Sequence, residues 1–226
     1  MIELFKKKKL FFLLFFIILF TDIIFHNIDG FNKYRYASKL LITTSLMFFF
    51  YFNSSHFITS NRVLVIIALL FSFLGDFILI SNPGASLFSI GISMYMISKI
   101  TYAVVFSFSA KFDIDRSLPF LTVTLLYCLL IVYFIFNGQG IPVLIIYIYI
   151  FVSLIMLKVA YLRYKLVSRD SYLIVLFGCI SFIISETVIG LDKFFAPIFY
   201  ESIFGMLFYG FAQFLIIIGL IIQKNR

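Results

Sequence analysis

Hydrophobic residues fill most of this 226-residue chain, and polar residues interrupt them at intervals that separate long apolar runs. A helix needs about 20 predominantly apolar residues to cross the hydrocarbon core of a bilayer. The runs therefore predict an all-α fold, a polytopic membrane helical bundle of about eight transmembrane helices, with residues 1–226 as a single transmembrane domain. The predicted helices cover residues 10–26, 36–53, 63–81, 86–109, 118–136, 141–163, 171–190 and 199–222.

The boundaries between these runs carry turn residues. The segments Asn82–Gly84 and Asn137–Gly140 are rich in Asn, Gly and Pro, which is typical of tight turns. At the start of the chain, Lys6–Lys9 followed by Leu10–Phe20 has the form of the charged and apolar regions of a signal peptide. No small-residue cleavage site follows, so we interpret this segment as an uncleaved first helix.

The overall composition agrees with a protein solvated by lipid. Hydrophobic residues make up 63% of the chain and charged residues 12%, whereas soluble domains have roughly 45–50% apolar and 25% charged residues. The net charge of +8 does not indicate nucleic-acid binding, because Lys and Arg cluster at the ends of the apolar runs. There they set the topology and contact anionic lipid head groups.

The distribution of basic residues predicts the orientation. An even number of helices puts both termini on one side, and that side collects twelve basic residues against four on the other. The twelve are Lys6–Lys9, Arg62, Lys111, Arg116, Arg163, Lys165, Arg169, Lys224 and Arg226, and the four are Lys33, Arg35, Lys39 and Lys193. The positive-inside rule then places both termini in the cytoplasm. If the cell is bacterial, the membrane that the helices cross is the inner membrane.

Asp76 and Glu186 are the acids that we place inside strongly apolar runs. Asp76 lies within Phe71–Ile80, and Glu186 lies at the end of the run that starts at Leu173. A carboxylate at membrane depth costs about 2.5–3.5 kcal/mol on insertion scales, so it is usually kept for function. Two carboxyl groups in one polar cavity tend to differ in protonation, which suits general acid/base hydrolysis.

We predict Asp76 and Glu186 as catalytic residues. The alternative is that each acid forms a structural ion pair, with Lys39, Lys99 or Lys158 as its partner. A lysine in a membrane helix can hold a cofactor such as retinal as a Schiff base. For Lys99 we favour a role as counter-ion to one of these acids, or snorkelling of its ammonium to the interface.

Depth along the helices predicts which polar residues come together. A rise of about 1.5 Å per residue puts Asp76 and Glu186 at similar depths on two parallel helices. Lys39 enters from the outer side, and Asp192 and Lys193 lie at the outer mouth. We therefore predict that these residues converge on the outer half of the bilayer.

Three further polar residues are predicted to bind substrate. Tyr102 lies on a helical stripe with Lys99, and Tyr209 lies on a stripe of small residues in the last helix, with Gln213 beside it. For Gln213, a hydrogen bond between helices is an equally good interpretation.

Other chemistry finds no support in the sequence. Cys128 and Cys179 lie in apolar runs, which is typical of free thiols that act as small hydrophobes. His26 and His56 lie near loops, so no metal site and no cofactor are predicted. The chain has no P-loop, no G-x-S-x-G elbow and no dinucleotide fingerprint.

The polar residues in their order along the chain resemble the YhhN-like membrane proteins, a family that includes the lysoplasmalogenases. The long match is similar to the pattern G-x-x-x-F-x-x-S-D-x-x-L-A-x-N-[RK]-F. The matching residues are Leu74-Gly75-Asp76, Tyr102, Tyr149, Met156, Ala160, Gly178, Phe182, Ser185, Lys193, Phe194, Ala212, Gln213 and Gly219. Three positions depart from it: Glu186 replaces Asp, Asp192 replaces Asn, and Lys99 lies near the usual His.

The resemblance implies hydrolysis of the vinyl-ether bond of a lysoplasmalogen, giving a fatty aldehyde and a glycerophospho-ethanolamine or -choline. The implied partners are a lysophospholipid substrate and membrane lipids. The resemblance implies that Lys39, Asp192 and Lys193 bind the substrate, with its phosphate at Lys39 or Lys193. A vinyl ether is cleaved by protonation of its carbon, addition of water to the resulting oxocarbenium ion and collapse of the hemiacetal. These steps need a proton donor, a nearby anion and a positioned water molecule. Asp76 and Glu186 could act as donor and anion and position the water. On this basis Glu186→Asp, which restores the usual residue, is expected to keep or improve activity.

A second function class uses the same residues. The acids could form the proton relay of a proton-coupled transporter, or belong to a lipid-binding membrane protein without catalysis. Transporters with inverted repeats carry related helices in opposite directions, whereas the helices of Asp76 and Glu186 are four spans apart and run parallel. Aldehyde release from a vinyl-ether lysolipid would discriminate between these classes.

Overall fold

Eight α-helices make up most of the computed structural model, which describes residues 8–55, 57–80, 84–135 and 141–224. They are α1 Lys8–Asn27, α2 Arg35–Asn53, α3 Thr59–Leu79, α4 Ala85–Ser107, α5 Ile114–Ile135, α6 Ile141–Tyr161, α7 Arg169–Phe194 and α8 Glu201–Ile221. The predicted all-α class and helix count are confirmed, and each predicted end is within four residues of the observed one. The predicted turns at Asn82-Pro83 and Asn137–Gly140 lie outside the described residues, as do His56, Arg226 and the first part of the Lys6–Lys9 run.

Seven of these helices are long and apolar enough to cross a membrane. The exception within the described ranges is α2, which has 19 residues but carries Arg35, Lys39 and several hydroxyl residues. α2 packs against α1, α3 and α8. Its polar side chains have partners inside the bundle, since Ser38 Oγ donates to Asp22 Oδ1 at 2.7 Å and Lys39 pairs with Asp76.

The bundle is held together by an aromatic core and by close helix contacts. Phe11 and Phe49 stack with their ring centroids 3.8 Å apart, between α1 and α2. α7 and α8 approach closely because Gly178 has no side chain: a Cβ there would lie 2.9 Å from Ile216 Cγ1 and 3.0 Å from Ile216 N. Gly178 therefore serves the close packing of α7 against α8.

α5 lies at the edge of the bundle. Within the described residues it packs against α6 and α7, and it shares a small apolar cluster, built on Ile131 and Ile146, that is separate from the main core. Tyr127 on α5 and Thr187 on α7 are joined by a hydrogen bond of 2.7 Å between their hydroxyl groups. α5 therefore exposes a larger share of its residues than the other membrane-capable helices, with long side chains exposed at Leu126, Leu129 and Tyr133.

Contacts between loops show which ends of the helices lie together. Ser202 at the start of α8 donates a hydrogen bond to Asn27 at the end of α1, at 2.7 Å. At the opposite end, Gln223 donates to Ser109 and the Lys224 carbonyl accepts from Ser168 N–H. The first residue of α1 and the last residue of α8 therefore lie at the same end of the bundle, which we call the terminal end. The opposite end contains the cavity described below, and we call it the cavity end.

Arg163 ties the loops of the terminal end together. Its side chain is fully buried, and Nη2 donates to Gln223 Oε1 at 2.7 Å and to Ser171 Oγ at 3.3 Å. Burial lowers the pKa of Arg163 to about 10, so the guanidinium stays protonated at neutral pH. A fixed positive charge at this end agrees with the predicted cytoplasmic side, which stays a prediction.

Candidate active site

A cavity of about 570 Å³ lies at the cavity end of the bundle. Its polar wall comes from the end of α1 and the starts of α2 and α8, together with the last two turns of α7. Its apolar wall comes from α4, α5, α6 and α7. The charged lining residues are Arg35, Lys39, Glu186, Asp192, Lys193 and Glu201, and the apolar ones include Phe88, Ile92, Ile131, Ile146, Ile150 and Phe194.

Asp76 lies directly behind one wall of this cavity, in the last turn of α3. Its side chain is fully buried and each oxygen accepts one short hydrogen bond, from Tyr95 Oη to Oδ1 and from Tyr209 Oη to Oδ2, both at 2.6 Å. Lys39 Nζ lies 3.4 Å from Oδ1. Tyr95, Tyr209 and Lys39 line the cavity, so Asp76 communicates with the cavity through these three side chains.

Gly75 makes room for this arrangement. A Cβ at Gly75 would lie 2.9 Å from Cδ2 and Cε2 of Tyr95. The glycine before Asp76 therefore lets the Tyr95 ring lie flat against α3 and point its hydroxyl at the carboxyl group.

Glu186 lines the cavity itself, about two turns before the end of α7. Its carboxylate forms an ion pair with Lys99 of α4 and accepts a hydrogen bond from Ser153 Oγ of α6 at 2.8 Å. Lys99 Nζ also donates to Ser153 Oγ at 2.8 Å, and it lies 4.1 Å from the ring centroid of Tyr149. The ammonium is almost fully buried, whereas 14% of the Glu186 side chain is exposed.

The two acids thus border one cavity but differ in access. A bound molecule could contact Glu186 directly, and it would contact Asp76 only through Tyr95, Tyr209 or Lys39. Each acid also has a lysine partner, as the structural alternative predicted for Lys39 and Lys99. Lys158 is not such a partner, since its Nζ lies over the Phe112 ring at 5.8 Å.

A third buried acid corrects the sequence interpretation, which counted two. Asp22 in α1 is fully buried; it accepts the hydrogen bond from Ser38 and lies 3.8 Å from Arg35 Nε. The sequence carried the signal, because Ile23-Ile24-Phe25 continue the apolar run beyond Asp22. Hydropathy along the first helix did not show that Ser38 and Arg35 of α2 would contact Asp22, because contacts between helices depend on packing.

Asp192 and Lys193, close to the end of α7, both line the cavity. Asp192 Oδ1 accepts a hydrogen bond from the Ile198 N–H at 2.8 Å, which fixes the loop between α7 and α8. Lys193 Nζ lies 3.8 Å from the centroid of the Phe88 ring.

The structure does not bring Tyr102 and Gln213 into the cavity lining. Both are fully buried one layer below it, where Tyr102 Oη donates to Gln213 Oε1 at 3.1 Å and Gln213 Nε2 donates to Ser72 Oγ at 2.8 Å. Ser72 in turn bonds to Ser98 at 2.8 Å. This network joins α3, α4 and α8, which is the helix-joining role that the sequence left open for Gln213. Of the three predicted residues, Tyr209 lines the cavity.

Three site residues had no role in the sequence prediction. Tyr95 is one helical turn before Lys99 on the same face, so its spacing was a usable signal. Ser153 and Glu201 gave none, because a serine in an apolar helix and an acid at a helix start have ordinary structural roles. Within the described residues, no group of three or more His, Cys, Asp or Glu side chains is placed to hold a metal ion.

The matches to known proteins are confined to the family level. No curated protein and no solved structure matches the chain. The model of the YhhN family matches residues 34–220, a range that runs from the start of α2 nearly to the end of α8 and leaves α1 outside. This range contains Asp76, Lys99 and Glu186. The chain is therefore a member of the YhhN family.

Proposed function

We propose that the protein is a membrane-embedded hydrolase that cleaves the vinyl-ether bond of a lysoplasmalogen, giving a fatty aldehyde and a glycerophospho-alcohol. One observation carries this proposal: a single cavity is bordered both by Glu186 and by the three side chains that hold Asp76. Membership of the YhhN family supports the same reaction, because the family includes the lysoplasmalogenases that the sequence resembles.

The shape of the cavity suits a lipid with one chain. Charged groups line its polar wall, and the aliphatic and aromatic side chains of α4, α5 and α6 line the other. A polar head group would contact the polar wall, and a hydrocarbon chain would contact the apolar wall. The bond between them would then lie near Glu186 and the hydroxyl groups of Tyr95 and Tyr209.

In the mechanism that we propose, a proton passes from the ammonium of Lys99 through the Glu186 carboxylate to the alkenyl carbon. This step leaves a carboxylate beside an oxocarbenium ion. Water adds to the cationic carbon and loses a proton to Asp76 through the hydroxyl of Tyr95 or Tyr209. The resulting hemiacetal breaks its carbon–oxygen bond to release the aldehyde and the alcohol, and the proton returns from Asp76 to Glu186. General acid/base steps of this kind typically contribute ~10²–10⁴-fold in rate.

The test is aldehyde release by the purified protein in liposomes. We expect it from a 1-alkenyl lysophospholipid and not from the matched 1-acyl lysophospholipid, because an ester cannot form the oxocarbenium ion by carbon protonation. Equal release of fatty acid from the ester, or no product from either lipid, would overturn the proposal. Proton movement coupled to a solute, with no aldehyde, would favour a transporter instead.

A further inference from the structure

Lys99 of α4 carries a primary amine directly behind the cavity lining. Its side chain is 1% exposed, and its Nζ contacts three side chains that line the cavity. Glu186 forms the ion pair, and the ring centroids of Tyr149 and Phe182 lie 4.1 Å and 5.0 Å from Nζ. The amine is therefore shielded from water by the same side chains that a molecule in the cavity contacts.

The protonation of Lys99 distinguishes it from the lysines of the cavity lining. A primary amine adds to a carbonyl carbon through its lone pair, which an ammonium lacks. Lys39 pairs with Asp76, and Lys193 is exposed to water, which hydrates an ammonium. In the proposed mechanism, by contrast, Lys99 has given up its proton when the aldehyde forms. A neutral amine and an aldehyde then lie next to each other.

We propose that Lys99 binds a long-chain aliphatic aldehyde covalently, as a Schiff base. This inference rests on the proposed function for the source of the aldehyde. It adds a second, covalent site beside the cavity, in which the product is held until water hydrolyses the Schiff base. The adduct occupies the cavity, so free fatty aldehyde competes with the lysolipid substrate.

The reaction uses the proton that Lys99 and Glu186 share. The Lys99 nitrogen forms a bond to the carbonyl carbon, and one of its protons moves to the oxygen to give a carbinolamine. The proton on Glu186 then goes to the hydroxyl group, which leaves as water while the nitrogen lone pair forms the C=N double bond. The products are a protonated Schiff base, the Glu186 carboxylate and one water molecule. Atoms and charge balance, and the step needs no oxidant or reductant.

The surroundings of Lys99 suit a protonated Schiff base as well as an ammonium. The positive charge stays beside the Glu186 carboxylate, and Ser153 Oγ, 2.8 Å from Nζ, accepts the single N–H that remains. The rings of Tyr149 and Phe182 cover the nitrogen and slow the hydrolysis of the C=N bond. The alkyl chain lies along the apolar wall of the cavity. The adduct thus keeps the ion pair that the structure shows for Lys99.

This site depends on a lysine where the pattern of the YhhN-like proteins has a nearby His. The imidazole of a histidine forms no Schiff base with an aldehyde, because it has no primary amine. The inference therefore applies to this chain and does not follow from the pattern that it resembles.

The test supplies the aldehyde directly, so it requires no hydrolysis. The purified protein in detergent is incubated at neutral pH with hexadecanal and cyanoborohydride, which reduces a C=N bond to a stable secondary amine. Hexadecanol, which has the same chain but no carbonyl group, is the control for noncovalent binding. The mass of the intact protein gives the number of alkyl groups, and peptide mapping identifies the lysine that carries each one.

We expect the label at Lys99 to exceed that at Lys193 or Lys33 by about tenfold or more, since burial of a few methylene groups of the aldehyde chain contributes at least that factor. Nonspecific alkylation follows exposure and gives the opposite order, because Lys193 and Lys33 are exposed and Lys99 is buried. Lys99→Arg, which keeps a cation beside Glu186, should lose this label. Lys158→Arg, at the terminal end of α6, should keep it.

Label that is spread over the exposed lysines without enrichment at Lys99 would overturn the inference. So would an amount of label that is unchanged in Lys99→Arg. The mapping in the wild type decides between the outcomes even if Lys99→Arg does not fold, which its melting temperature shows. Because the probe is the aldehyde itself, the result is independent of whether the protein cleaves a vinyl ether. Aldehyde release without this adduct would end the inference and leave the proposed function standing.

Discussion

Lys99 on α4 and Glu186 on α7 form an ion pair beside the cavity, and Ser153 on α6 is hydrogen-bonded to both. These two residues also lie at positions where the chain departs from the YhhN-like pattern that it resembles. Lys99 lies near the usual His, and Glu186 replaces the usual Asp. The longer carboxyl side chain reaches the ammonium, so the two departures form one contact. We therefore treat them as a coupled pair.

The first prediction concerns the stability of this pair. Lys99→Met leaves a carboxylate without its cation, and Glu186→Gln leaves an ammonium without its anion. Breaking a buried ion pair costs about 3–5 kcal/mol, whereas replacing both partners can be nearly neutral. We expect each single variant to unfold more readily than the wild type, and the double variant to be more stable than Lys99→Met. The measurement is a double-mutant cycle on unfolding in detergent; additive losses would show that the two residues are not coupled.

The second prediction concerns the two carboxyl groups. If Glu186 donates a proton and Asp76 accepts one, Glu186→Gln and Asp76→Asn should each lower kcat by ~10²–10⁴-fold with a smaller change in KM. The control is Asp170→Asn, an acid in the first turn of α7 at the terminal end, which should keep wild-type turnover. The measurement is aldehyde production from a lysoplasmalogen in liposomes. Full activity in both cavity variants would end the mechanism proposed here.

The third prediction reverses an expectation from sequence alone. Glu186→Asp restores the usual residue of the pattern, and on that ground it should keep or improve activity. Shortening the side chain by one methylene, however, withdraws the carboxylate from Lys99 and Ser153. We therefore expect Glu186→Asp to lower kcat, and Lys99→His combined with Glu186→Asp to recover part of the loss. Unchanged kcat in Glu186→Asp would show that the reach of Glu186 is not needed.

The sequence predicted the helices well because apolar length alone determines them. It also predicted that Lys39, Glu186, Asp192 and Lys193 would meet, because each lies near the same end of its helix. It did not predict that Asp76 lies behind two tyrosines, since the rotation of α3 about its axis depends on Tyr95 packing against Gly75. Side-chain partners across helices, such as Ser153 with Glu186, depend on packing that periodicity does not encode.

The fourth prediction concerns topology. The basic residues predict both termini in the cytoplasm, and the structure has the first residue of α1 and the last of α8 at one end of the bundle. Reporter fusions after Arg226 and within Asn137–Gly140 should therefore report opposite sides, the first one cytoplasmic. Reports from the same side would contradict a bundle in which α6, α7 and α8 all cross. Reports from opposite sides, but with the Arg226 fusion outside, would direct attention to α2, the least apolar of the eight helices.

The last prediction separates two lysines that the sequence treated alike. Lys193 lies over Phe88 in the cavity lining and has no ion pair within the described residues. Lys39 lies 3.4 Å from the carboxyl group of Asp76. Removing a contact that is equally strong in the ground and transition states raises KM, whereas disturbing an acid/base group lowers kcat. We therefore expect Lys193→Met to raise KM severalfold with little change in kcat, and Lys39→Met to lower kcat as well.

Lys33→Met, on the loop before α2, is the control for loss of positive charge at this end and should change neither parameter. Identical profiles for Lys39→Met and Lys193→Met would show that the contact of Lys39 with Asp76 has no part in turnover.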